Sequence, residues 1–123
     1  MGRKKVIVAG ASGLVGSAAV HHFGARPDWD VVAVSRRPPL DMPPGVQHVA
    51  IDLTDQGRCA QVFGAMSDIT HVIYTAVAEK LDNIYAGWTD PQQIATNAAM
   101  LQNLFEPLAR AATSLQHVAL VHG

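Results

Sequence analysis

Gly10, Gly13 and Gly16 stand at intervals of three in the run Gly10-Ala11-Ser12-Gly13-Leu14-Val15-Gly16. Glycines so spaced let backbone amides approach a pyrophosphate without obstruction by a Cβ, and a helix starting there turns its partially positive end toward the anion. On this reading Gly10 makes the tight turn, Gly13 admits the phosphate and Gly16 lets helix and sheet pack closely, with Ser12, Leu14 and Val15 at the mouth. A glycine turn also joins strand to helix with no ligand at all, so the surrounding elements must decide.

A second group, Ser35-Arg36-Arg37, follows an apolar run, at the place where NAD-binding folds usually carry an acidic residue that accepts from the ribose 2′-hydroxyl. A carboxylate would repel a 2′-phosphate. A serine hydroxyl and guanidinium groups can instead donate charge-assisted hydrogen bonds to one, so the cofactor expected is NADP(H). One arginine of the pair is expected to be solvated, with Arg36 the closer contact.

Asp52 and Leu53 follow a third run, where the carboxylate can accept from an adenine amino group and the leucine can pack on the ring; a simple helix-entry role for Asp52 is the alternative. Thr75, Ala76 and Val77 are placed where ribose and nicotinamide would pass. Asn97 either braces that strand end or covers a polar helix face. The six histidines, at 21, 22, 48, 71, 117 and 122, show no metal-ligand spacing with a carboxylate and are read as structural or solvent-facing. No metal site and no catalytic residue is assigned.

The elements that must hold these groups alternate. Val6 to Ala9 is a short apolar run typical of a strand buried on both faces, and Leu14, Val15, Ala18, Ala19 and Phe23 recur at helical spacing before Gly24. Val31 to Val34 predicts a second strand, and Pro38, Pro39, Pro43, Pro44 and Gly45 predict a loop. Val46 to Ile51 predicts a third strand, and Thr54 or Asp55 caps a helix carrying Cys59, Val62, Phe63 and Met66. Ile69 to Thr75 predicts a fourth strand, and 77–87 a loop on the ligand side.

Thr89 or Asp90 is the expected cap of a long helix with Pro91 near its start. Ile94, Ala98, Leu101, Leu104, Phe105, Leu108 and Ala112 form its expected apolar stripe, and Pro107 predicts a kink or early fraying. Val118 to Val121 is a fifth strand. Strands alternating with helices imply an α/β Rossmann fold, a doubly wound parallel sheet ordered 3-2-1-4-5 and cut short after the fifth strand.

At 123 residues the chain is expected to form one domain, 1–123, the N-terminal part of a longer dinucleotide-binding domain. Apolar residues make up 49% and charged residues 15%, with formal net charge −1, which fits a core-forming domain and offers no basic field for nucleic acid. Arg3, Lys4 and Lys5 before Val6 to Val20 superficially resemble a secretory signal, but the glycines interrupting that run have the better explanation above. No stretch approaches a membrane span. Cys59, the one cysteine, excludes an internal disulfide, reads as a buried thiol, and fits a reducing, cytoplasmic compartment.

Together, Gly10 to Gly16, Ser35-Arg36-Arg37-Pro38, Asp52-Leu53-Thr54-Asp55 and Asn97-Ala98-Ala99-Met100-Leu101-Gln102-Asn103 resemble the short-chain dehydrogenase/reductase superfamily in its extended, epimerase/dehydratase-like form. More narrowly they resemble its enone reductases of the progesterone 5β-reductase and iridoid synthase kind. That resemblance implies NADPH as hydride donor, a small carbonyl substrate with a conjugated double bond, and a tyrosine and lysine that stabilise an enolate. In those enzymes the fifth strand leads into Thr-Gly, whereas here it reads His122-Gly123. Tyr74 and Tyr85 stand on the wrong elements to carry over. Two other readings stay open: a sugar-nucleotide epimerase or dehydratase of the same superfamily, and a non-catalytic nucleotide-binding module. A sheet ending at its fifth strand is expected to leave apolar surface exposed, to self-associate and to hold the cofactor weakly.

Overall fold

A computed structural model describes residues 4–39, 41–76 and 91–121. Five parallel strands, β1 (Lys4–Ala9), β2 (Trp29–Ser35), β3 (Gln47–Ala50), β4 (His71–Tyr74) and β5 (His117–Leu120), lie in the order β3-β2-β1-β4-β5. Helices α1 (Leu14–Gly24), α2 (Gln56–Phe63) and α3 (Pro91–Ala111) alternate with them. The expected architecture and strand order are therefore present. Several strand limits shift by one or two residues; β1, for example, begins at Lys4, paired with Trp29 of β2.

Because crossovers between parallel strands are right-handed, the direction of travel across the sheet decides which face each helix covers. The step from β1 to β2 runs one way, and α1 covers Val6, Val8, Val31 and Ala33 with Val20. The steps from β3 to β4 and on to β5 run the other way, and α2 and α3 lie together on the opposite face. Phe63, Leu104 and Leu108 are sealed there against Ile7, Val32 and Val72. Each such side chain contributes roughly 1.5–3 kcal/mol by leaving water. Gly24 of α1 lies against Pro43 and Val46, so residues 41–46 of the proline-rich connection pack on the α1 side, at the end of the predicted loop.

Two helix readings need correction. In α1 the buried positions are Gly16 and Val20, with Ala19 and Phe23 partly covered; Leu14 is 91% exposed. In α3 the buried stripe is Met100, Leu104 and Leu108, continued by Ala112, while Ile94, Ala98 and Phe105 face outward. The apolar residues of α3 form two overlapping stripes, and packing against α2 selected the one containing Met100. Nor does α3 end early at Pro107: it runs on to Ala111, although that proline has no N–H to give the helix.

Candidate nucleotide-binding site

The C-terminal ends of the strands open into one cleft of about 630 Å³, within the roughly 300–1,000 Å³ of small-molecule sites. It spans the gap between β1 and β4, where the strand order reverses and doubly wound sheets bind their ligands, with Gly10 on one side and Thr75 and Ala76 on the other.

The glycine turn forms the near wall. Gly10 has φ +81°, a left-handed conformation suited to glycine, and a Cβ there would stand 2.5 Å from Thr75 Oγ1 and 2.8 Å from the Ala76 amide. Its N–H and that of Ala11 donate to the Val34 carbonyl at 2.9 and 3.2 Å, tying the turn to β2. Gly16 is excluded from change by its own fold, since a Cβ would lie 2.1 Å from the Gly10 carbonyl oxygen. Gly13 is different. Its backbone is extended and a Cβ would meet only the Gly10 oxygen, at 3.4 Å. The protein therefore leaves that space open toward the cleft, which is what a ligand approaching the backbone requires.

The start of α1 adds electrostatics. No side chain caps it and no acidic residue stands in its first turn, whereas α2 is closed by the Asp55 carboxylate, which accepts from the Arg58 amide at 3.1 Å. The exposed end of α1 is thus suited to an anion. Leu14 and Val15, exposed despite being apolar, line the cleft there beside Ser12.

At the end of β2, Ser35 and Arg36 line the cleft and Arg37 does not. The Ser35 hydroxyl donates to the Arg37 carbonyl and lies 3.0 Å from His48 Nε2. Its proton is therefore already engaged, and Arg36 is the side chain of this turn whose charge borders the cleft. His48, expected to be structural or solvent-facing, is half-buried and bonded to a residue of the site.

The third segment is set by short-range bonds. Asp52 Oδ1 accepts from the Thr54 hydroxyl at 2.7 Å and the Thr54 amide at 2.9 Å. These bonds, with a smaller contribution from the nearby Arg36 charge, hold the Asp52 carboxyl below its ordinary range. Leu53 is buried, and its carbonyl accepts from Asn103 Nδ2 of α3 at 2.8 Å. The expected position of both residues in the cleft is observed, and the capping of α2 falls to Asp55.

Thr75 and Ala76 line the far side; the Thr75 hydroxyl donates to the Ala9 carbonyl at 2.8 Å, so it braces β1 against β4. Val77, the expected 77–87 loop, the caps at 89 and 90, Tyr85 and His122 lie outside the described residues. Val34, Ile51, Thr54, Met100 and Val121 also line the cleft without having been expected there. Val34, Ile51 and Val121 could be inferred from their places at strand ends, and Thr54 from its spacing with Asp52. Met100 arrives from α3 and has no local signal. Among the described residues no group of three or more His, Cys, Asp or Glu could hold a metal ion, and no helix is long and apolar enough to cross a membrane.

An open glycine turn, an uncapped helix start and a cleft at the switch point together define a Rossmann-type nucleotide-binding domain. Comparison with known proteins narrows this class. Residues 6–121 match the model of the NAD dependent epimerase/dehydratase family, and the chain belongs to that family. An (S)-8-oxocitronellyl enol synthase of Catharanthus roseus is 30% identical over 95% of the chain, and the chain spans 29% of that enzyme's length. In fold, it is similar to a short chain dehydrogenase from Burkholderia cenocepacia in complex with NADP, with TM-score 0.74 and 19% identity over 97% of this chain and 53% of that one. A Bordetella bronchiseptica enzyme in complex with NAD+ gives TM-score 0.68 and 22% identity over 89% of this chain and 36% of that one.

Proposed function

We propose that this chain holds NADP(H) for a reductase that transfers hydride to a conjugated enone or related carbonyl compound. When bound, the nicotinamide ring supplies the hydride; the residues described here bind and orient its carrier. The open space at Gly13 and the α1 start receive the pyrophosphate. Asp52 and Leu53 flank the adenine, and Thr75 and Ala76 border the path toward the nicotinamide.

The observation that carries the choice of NADP(H) is Arg36 at the cleft beyond β2, where an NAD site would place a carboxylate. Similarity to an enol synthase supports the enone reading. The family's description as epimerases and dehydratases favours a sugar-nucleotide enzyme retaining NAD, and Arg36 argues against it.

Fluorescence titration with NADPH and NADH tests the assignment. The wild-type chain should prefer NADPH, and Arg36→Ala should erode that preference roughly tenfold or more, the scale of a charge-assisted hydrogen bond. Arg37→Ala should change it little. Equal affinity for the two nucleotides in the wild type would refute NADP(H) specificity and return the epimerase reading to first place.

A further inference from the structure

We propose that His48 is a specificity-determining positioning residue, acting through Ser35 on recognition of the 2′-phosphate of the dinucleotide. The inference rests on the NADP(H) reading above and concerns a residue that never touches the nucleotide.

The bonding pattern leaves one proton arrangement. Ser35 Oγ contacts the Arg37 carbonyl oxygen and, at 3.0 Å, His48 Nε2. A carbonyl only accepts, and a hydroxyl has one hydrogen, so that hydrogen goes to Arg37. Nε2 must then be the donor to Oγ, which requires it to carry a proton. Register permits this: Ser35 pairs with Ala50 and Ala33 with His48, so His48 and Ala50 are two residues apart on one face of β3, beside Ser35. At 8% exposure Ser35 is almost enclosed, and its hydroxyl is held by these two partners.

The consequence is a relay with a movable end. Rotation about the Ser35 Cβ–Oγ bond swings the proton from the Arg37 carbonyl to a phosphate oxygen, while the His48 N–H keeps the oxygen in place and polarises it as a donor. The same rotation frees the Arg36-Arg37 backbone to settle around the anion. A ribose 2′-hydroxyl carries no charge to draw the proton across, so with NADH the serine stays on Arg37. His48 therefore acts on NADPH affinity and leaves NADH affinity alone, which a merely structural histidine would not do.

The test is the ratio of NADH to NADPH dissociation constants for the purified chain. His48→Phe keeps the ring and removes the donor; it should weaken NADPH about fivefold, the scale of one hydrogen bond, with NADH unchanged. His48→Gln, which retains an N–H donor of similar reach, should restore most of the ratio. Ser35→Ala should reproduce the loss, and adding His48→Phe to it should cost nothing further. If His48→Phe fails to fold by circular dichroism, His48→Leu takes its place. Equal weakening of both nucleotides, or an unchanged ratio, overturns the inference. Should Arg36→Ala narrow the preference while His48→Phe does not, only the role of His48 falls; should the wild type show no preference, the NADP(H) reading falls with it.

Discussion

Gly13 and Gly16 lie three residues apart in one turn, yet the structure predicts opposite consequences of adding a methyl group to each. At Gly16 the new carbon would stand 2.1 Å from the Gly10 carbonyl oxygen and 2.7 Å from its carbon, both backbone atoms that cannot rotate away. Helix α1 would have to retreat from the turn and loosen its packing on Val6 and Val8. Overpacking of this kind costs about 1–3 kcal/mol, or a Tm lower by roughly 10 °C at the upper end for a domain of this size. At Gly13 the nearest atom is the same oxygen at 3.4 Å, an ordinary contact, and the backbone is one any residue adopts. Gly13→Ala should therefore unfold within about 0.5 kcal/mol of wild type. Its methyl group occupies the space assigned to the pyrophosphate, so NADPH affinity should fall at least tenfold, a loss of about 1.4 kcal/mol. Urea unfolding and a nucleotide titration on both variants separate the effects. Normal binding by Gly13→Ala would refute the assignment of the α1 mouth as the phosphate cradle, and normal stability of Gly16→Ala would refute the steric argument.

Three further outcomes follow from named contacts. Asn103→Ala leaves the Leu53 carbonyl with only the long, weak Cys59 thiol contact at 3.8 Å, so stability should drop by about 1 kcal/mol in urea unfolding, and adenosine 2′,5′-bisphosphate, which carries only the adenine half, should bind more weakly than to wild type. Burial, reinforced by Asp55 and Asp52, pushes the Cys59 thiol up to about 11 from 9.0. The folded state thus favours the protonated thiol, and its stabilising contribution, complete below pH 9, is lost as pH rises toward 11. Cys59→Ala should show a shallower alkaline loss of stability, and wild-type Cys59 should resist a disulfide reagent at pH 8 until denaturant is added. His71 is held below its ordinary value of 6.5 by burial, then by His117 and Lys4. The unfolded chain takes up the proton first, so stability present above pH 6.5 is lost as pH falls below it. Unfolding midpoints for His71→Gln should be flatter across that window.

The glycine turn, the alternation of strands with helices and the arginine after β2 were legible because each rests on local chemistry. A positive φ calls for glycine, short β-branched runs bounded by turns call for buried parallel strands, and the sign of a charge at a strand end is read directly. Strand order followed as well, since right-handed crossovers leave few alternatives once the elements are known. Helix faces were less legible. In α3 the series Ile94, Ala98, Leu101, Phe105 and the series Met100, Leu104, Leu108, Ala112 both repeat at helical spacing, and only the shape of α2 and the sheet decides between them.

The sequence by itself determined that this is a doubly wound α/β domain with a glycine turn at its first crossover, and that a cation rather than a carboxylate follows its second strand. The tertiary structure alone decided that Met100 borders the cleft. It alone brought His48 to Ser35 across 13 residues and Asn103 to Leu53 across 50. Backbone preferences act between neighbours in sequence, whereas a hydrogen bond or a steric contact depends on distances of a few ångströms that exist only once sheet register and helix packing have set them.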